Sequence, residues 1–246
     1  MIEFQTASKT YGQTEVLQGL TLAVEAGETV VLIGPSGGGK TTALKLVNGL
    51  VQPTSGTVLV DGRSVATWDL LALRRSIGYV IQEVGLFPHW TVAANVGLLP
   101  RLMGWGAGEI DRRVNELLEL VALDPGEYRQ RFPRELSGGQ TQRVGVARAL
   151  ALKPGILLMD EPFGALDPLL RAQLQQELLR ILAEVHTTTL LVTHDLPEAF
   201  RMADRIAVLV DGQLQQVDTP AELRRAPKSE FIRRLMAAEL MEGGSQ

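Results

Sequence analysis

Residues 29–50 read TVVLIGPSGGGKTTALKLVNGL, and the fold is decided in this stretch. TVVLI is a continuous apolar run, the composition of a strand buried on both faces. A glycine-rich turn follows at once and opens the helical run KTTALKLVNGL. The turn satisfies G-x-x-x-x-G-K-[ST] with Gly34, Gly39, Lys40 and Thr41, in the strand–turn–helix setting that gives the motif its meaning. Glycines permit backbone dihedrals that aim successive N–H groups inward, and the helix start adds partial positive charge. Gly34, Pro35, Ser36, Gly37, Gly38, Gly39, Lys40, Thr41 and Thr42 are therefore expected to cradle a nucleotide's phosphates. Lys40 suits the β- and γ-phosphates and the Thr41 hydroxyl suits Mg²⁺.

Similar apolar runs recur outward from this point. GILLMDE (155–161) and TTLLVTH (188–194) also stop at polar residues, which predicts a mostly parallel sheet flanked by helices. IEFQTAS near the start alternates, as a half-exposed strand does. Asp-Gly steps at 61–62 and 211–212 mark hairpins. Between 83 and 153 the runs are helical, as in EIDRRVNELLELVAL. The expected fold is α/β: a core over 1–82 and 154–218 with an N-terminal antiparallel part, an inserted helical subdomain over 83–153, and a helical tail over 219–246.

A P-loop needs a carboxylate on a neighbouring strand to hold magnesium, and Asp160 ends such a strand. Glu161 follows, placed to orient a water for in-line attack on phosphorus and accept its proton. Gln82 after IGYVI and His194 after TTLLVT also end strands, where open α/β sheets bind ligands. Gln82 suits the metal or the attacking water, and His194 suits the γ-phosphate; taken singly, each also suits a satisfied structural role.

LSGGQTQRVGVARAL (136–150) holds a second candidate phosphate device. Ser137 with Gln140 is an S-x-x-Q capping box, so a helix should begin near Gly138. Gly138 and Gly139 let an anion approach the exposed N–H groups. Alone, this signals a plain capped helix.

The whole string resembles the nucleotide-binding subunits of ATP-binding-cassette transporters, over nearly the full chain. Tyr11, GPSGGGKTT, Gln82, LSGGQ, ILLMDEP, ALD (165–167) and His194 stand in that family's order and spacing. The resemblance implies an ATPase with a P-loop NTPase core that works as a head-to-tail dimer. Each ATP is then shared between the P-loop of one copy and the signature segment of the other. By the same resemblance Tyr11 stacks on adenine, with Val16 in the same ATP site, although an aromatic before a glycine turn is commonly packing. Glu161, His194 and Gln82 are the implied catalytic residues, and Thr41, Gln82 and Asp160 the implied magnesium set. Ser137, Gly138, Gly139, Gln140 and Asp167 are implied to meet the partner copy's ATP.

The segment IGYVIQEVGLFPHWTVAANVGLLPRLMGW (77–105), with ALDPGEYRQRFPREL and VGVARALA, is similar to importers of quaternary-amine osmoprotectants such as glycine betaine, choline or carnitine. This implies a membrane permease contacted near residues 83–105, a substrate-binding protein engaged indirectly, and a peripheral place on the cytoplasmic face of the membrane. Pro88, His89 and Trp90 are candidates for the permease contact, with loop packing as the alternative. Glu83, Trp90 and Thr141 depart from the residues common in these relatives. The chain ends before paired cystathionine-β-synthase-type domains would fit, so ionic-strength sensing through them is not expected.

Bulk properties agree. The chain has 246 residues, 45% hydrophobic, 21% charged, with net charge −4 and no cysteine. These values exclude disulfides and thiolate catalysis and give no general attraction to nucleic acid. Arg pairs such as Arg112 and Arg113 are expected on solvated helix faces. No apolar run nears the roughly 18 residues of a membrane span, and the start lacks a secretory apolar core. Rival readings are an importer of another solute, such as an amino acid or a sulfonate, and a soluble cassette ATPase of DNA repair or translation. The latter usually carries two cassettes or a long coiled-coil insertion, and neither is found.

Overall fold

The computed structural model describes residues 1–164 and 168–243. They divide into two compact units, one of Met1–Leu73 with the chain from Thr188 onward, the other of Arg74–Thr187.

The first unit carries an antiparallel sheet in the order Thr14–Val24, Ile2–Tyr11, Ser55–Val60, Arg63–Ser64. Ile2 and Phe4 point into the core as the alternation predicts, but the next buried residue is Ala7. Thr6 has φ 48°, and the pairing register shifts between Phe4 and Ala7. A bulge there adds one residue and returns an apolar side chain to the inner face. The unit's second set of strands runs Gln213–Asp218, Arg205–Val210, Thr29–Ile33, Thr188–Val192. Thr29–Ile33 is parallel to both of its neighbours and fully buried. Both Asp-Gly steps form hairpins, with φ 50° and 75° at Asp61 and Gly62 and 47° and 77° at Asp211 and Gly212. Two left-handed central residues are what a tight turn matched to strand twist requires.

In the second unit Ile77–Val80 lies parallel to Ile156–Asp160. Between them the chain forms Val92–Val96, Leu98–Leu102, Ala107–Leu120, Pro125–Tyr128 and Gly138–Ala149, and Pro168–Val185 follows. Val92–Val96 and Ala107–Leu120 both pack on Gly138–Ala149, whose end sits on the strand Ile77–Val80. A Cβ on Gly78 would lie 2.6 Å from the Ala149 carbonyl oxygen, so only glycine lets that helix approach.

One expectation is corrected here. Arg113 is not on a solvated face: it is 8% exposed. Its guanidinium donates to the carbonyls of Leu150 at 2.7 Å and Ala151 at 3.1 Å, just past the end of Gly138–Ala149. Carbonyls at a helix C-terminus carry partial negative charge that attracts a cation, and that attraction draws Arg113 inward. Among the described residues no helix is long and apolar enough to cross a membrane.

Candidate nucleotide site

The glycine-rich turn is shaped by steric necessity. Gly34 has φ 146°, and a Cβ there would lie 1.8 Å from the Leu209 carbonyl oxygen on the adjacent strand. Gly39 caps the helix Lys40–Val47 in a left-handed conformation, φ 89°, and a Cβ would fall 2.5 Å from the Val16 carbonyl oxygen. Val16 is thus set against the turn by its backbone. The Lys40 side chain is buried, and its ammonium donates to the Gly34 and Pro35 carbonyls, both at 2.8 Å. A buried ammonium needs such partners. A backbone cradle with glycine where a Cβ would clash, a cation inside it and a helix start behind it fit a polyphosphate.

His194 belongs to this same unit and the same edge. Val192 pairs with Leu32 in register, so His194 and Gly34 each lie two residues beyond that pair on adjacent parallel strands. Its neighbours hold it there: the Thr193 N–H donates to the Leu32 carbonyl at 3.2 Å. The Thr193 hydroxyl donates to Glu198 at 3.0 Å, and the Asp195 carboxylate caps the helix Leu196–Met202. Tyr11 ends its strand with an exposed ring, and the Lys9 ammonium lies 5.1 Å from the ring centroid. The exposure speaks against plain packing and leaves the ring accessible to a base.

In the second unit the structure joins Gln82 to Glu161: the Gln82 amide donates to Glu161 Oε2 at 3.0 Å. Glu161 has φ 46°, which costs a non-glycine residue about 1–3 kcal/mol. Seven non-glycine residues share that property among the described ones, so the bond to Gln82, not the dihedral, marks Glu161 out. Asp160, one residue earlier, is 7% exposed at the strand end. Its carboxylate is felt by Tyr79 on the neighbouring strand, whose phenol is pushed up to about 12, first by burial and then by that negative charge.

The LSGGQ segment folds as its pattern predicts. Ser137 caps Gly138–Ala149 with a reciprocal capping box. The Gln140 N–H donates to Ser137 Oγ at 3.3 Å, and the Ser137 N–H donates to Gln140 Oε1 at 2.9 Å. Because the hydroxyl oxygen accepts, its own proton points elsewhere, and the side chain is exposed. Gly139 is buried; a Cβ there would lie 2.8 Å from Leu170 Cδ2. Neither Ser137 nor Gln140 bonds to the Gln82–Glu161 pair. Asp167 lies outside the described residues.

With this geometry established, comparison with known proteins is decisive. The ABC transporter family model matches residues 17–164. The chain belongs to the ABC transporter family. As an ABC chain it is 46% identical over 240 residues to the choline transport ATP-binding protein OpuBA of Bacillus subtilis, covering 97% of this chain and 63% of that protein. The chain thus spans less than two thirds of the length of this relative. It is 49% and 48% identical, over 238 and 237 residues, to two Fe(3+) ions import ATP-binding proteins of Rhodococcus jostii, covering 94% of the chain and 67% of each relative. Among solved structures, the dimeric ADP- and Pi-bound cassette MJ0796 superposes with TM-score 0.81 at 34% identity, over 89% of this chain and 99% of that one. The α/β cassette fold read from the sequence is borne out.

Other residues fix the second unit's loop after Gln82 without being prominent in the sequence. Asn95, fully buried, accepts from the Phe87 N–H at 2.7 Å and donates to the carbonyls of Phe87, Trp90 and Thr91 at 3.2, 3.2 and 3.0 Å. It staples the loop after Gln82. Arg148 donates to the Gly85 carbonyl at 2.8 Å and to the Val84 carbonyl. Burial lowers its guanidinium below the ordinary value. The available signal was a polar residue interrupting an apolar helical run, as Asn95 does in TVAANVGLL. A cavity of about 600 Å³ between Ala107–Leu120 and Pro168–Val185 holds none of the expected site residues. Its Arg113, Lys153 and Arg180 are matched by Glu116, Glu119 and Glu184, so it selects no charge class.

Proposed function

We propose that this chain is the ATP-hydrolysing subunit of a membrane importer and acts as a head-to-tail pair with a second copy of itself. The reading is supported most by one combination: a glycine-rich cradle closed on the buried Lys40 ammonium, together with the Glu161 carboxylate oriented by Gln82. Gly34 to Thr42 bind the phosphates, Val16 backs the turn, and the exposed Tyr11 ring stacks on the base. Glu161 takes a proton from water as its oxygen attacks the γ-phosphorus and the bond to the β-phosphate oxygen breaks. His194 donates to the γ-phosphate. Ser137 offers its hydroxyl proton, and Gly138 and Gly139 their N–H groups, to the nucleotide held by the partner copy.

Thr41, Gln82 and Asp160 would hold Mg²⁺, which when bound neutralises charge on the β- and γ-oxygens. They supply a hydroxyl, an amide and a carboxylate, the hard oxygen donors that magnesium prefers. Among the described residues no cluster of three or more His, Cys, Asp or Glu offers an alternative metal centre.

Glu161→Gln should cut ATP turnover by about 100-fold or more, the range for losing a positioned proton acceptor, while sparing nucleotide binding. Gel filtration with ATP and Mg²⁺ should then show a dimer. A monomer with wild-type turnover overturns the proposal.

The finer reading places the subunit at the cytoplasmic face of the membrane, beside a permease whose cargo is a quaternary amine delivered by a binding protein. Phe87 and Trp90 support the permease contact: they are 44% and 38% exposed, with ring centroids 4.7 Å apart. Pro88 and His89, between them, are exposed too. The Fe(3+) import relatives are as similar as the choline one, so the cargo proposal rests on segments 77–105, 122–136 and 144–151, not on overall identity. Uptake of labelled choline or glycine betaine by the assembled transporter tests it; transport of iron instead overturns it.

A further inference from the structure

The capping box leaves one group of the signature segment to be fixed from outside. Gln140 spends Oε1 on the Ser137 N–H. Its amide nitrogen donates to the phenol oxygen of Tyr128 at 3.0 Å. The Ser137 N–H can only donate, so Oε1 must face it, and the –NH₂ must face Tyr128. Tyr128 is itself held: the Arg131 guanidinium lies 4.5 Å from its ring centroid and pairs with Glu127 at 2.6 Å. The same turn is bonded to the start of the helix Val92–Val96, just after Phe87 and Trp90. The Val92 N–H donates to the Arg131 carbonyl at 2.8 Å, and the Ala93 N–H to the Arg129 carbonyl at 3.0 Å.

We propose that Tyr128 is a positioning residue of the signature segment. It acts through Gln140 to aim the Ser137 hydroxyl and the Gly138 and Gly139 N–H groups at the partner copy's nucleotide. The inference rests on the shared-ATP reading above. Removing the phenol oxygen leaves the Gln140 –NH₂ without its acceptor and frees the amide to turn, which breaks the capping box from the side-chain end. The P-loop is untouched, so the effect belongs to the closed pair and not to nucleotide capture by one copy.

The test is Tyr128→Phe, which keeps the ring beneath Arg131. ATPase turnover should fall roughly three- to tenfold, the range for one partly buried hydrogen bond. Binding of a fluorescent ATP analogue to dilute, monomeric protein should stay at the wild-type value. Gln140→Leu should lower turnover similarly, and adding Tyr128→Phe to it should change nothing further. Multiplied losses in the double variant, or wild-type turnover in Tyr128→Phe, overturn the proposal. Equal loss of monomer binding overturns it as well, because the role would then be general folding. A wild-type protein without ATPase activity instead removes the shared-ATP reading, and this inference with it.

Discussion

In Gly34–Thr42 the decisive atoms are backbone, and three glycines succeed because they lack a side chain or take a left-handed φ. In Leu136–Gln140 side chains set the geometry, with Ser137 held by Gln140 and Gln140 by Tyr128. Both regions address phosphate in the proposed cycle. The first is a steric construction that either closes or does not. The second is a chain of single hydrogen bonds, each worth about 0.5–1.5 kcal/mol, so it weakens by degrees. A P-loop variant that drives a Cβ into backbone should therefore fail outright where a signature-side variant fails in part.

The largest expected effect comes from within the loop. Gly34→Ala puts a Cβ 1.8 Å from a strand carbonyl, whereas Gly37, with φ 80°, has nothing within 4 Å of a Cβ. Gly34→Ala should destabilise by about 3 kcal/mol, the upper end of overpacking costs, and abolish ATP binding. Gly37→Ala should cost only about 1 kcal/mol, from its dihedral alone. Thermal unfolding and nucleotide binding check both; equal losses in the two variants would break the steric account.

A smaller effect is expected at the far end of the signature helix. Arg148 grips two successive carbonyls, Val84 and Gly85, and Gly145 faces Val84 with no room for a Cβ, which would lie 2.4 Å from Val84 Cγ1. Arg148→Lys keeps the charge but loses the fork. It should cost about 1–2 kcal/mol and speed amide exchange across residues 84–91, with turnover reduced a few-fold. Unchanged exchange there would show that Gly145 packing alone holds the segment, and would blur the contrast with the loop.

The sequence reveals these regions unequally for a physical reason. TVVLIGPSGGGKTT and ILLMDE announce strand, turn and carboxylate because local chemistry dictates each step, and S-x-x-Q announces its capped helix for the same reason. The roles of Asn95, Tyr128 and Arg148 depend on which backbone carbonyl or side chain lies opposite after folding, and no local spacing records that. Arg113 misled because a paired arginine on an amphipathic helix normally faces water; only tertiary packing supplies the carbonyls of Leu150 and Ala151 that draw it in. The bulge at Thr6 was hidden too, since IEFQTAS alternates in sequence where the strand does not.

The smallest effect concerns Tyr79 and tests whether electrostatics in the second unit are also graded. Its phenol titrates near 12 instead of 10.0, so the folded state holds this proton more tightly than the unfolded chain does. The stability it contributes is full below pH 10.0 and is lost as pH rises through about 12. Around neutral pH it should confer no pH dependence at all. Asp160→Asn removes the second cause of the shift but not the first. Ultraviolet titration of tyrosinate, in a chain whose other two tyrosines are replaced by phenylalanine, should then show the midpoint falling below about 12 while staying above 10.0. A midpoint at or below 10.0 would mean that the Asp160 charge, and not burial, dominates at this strand end.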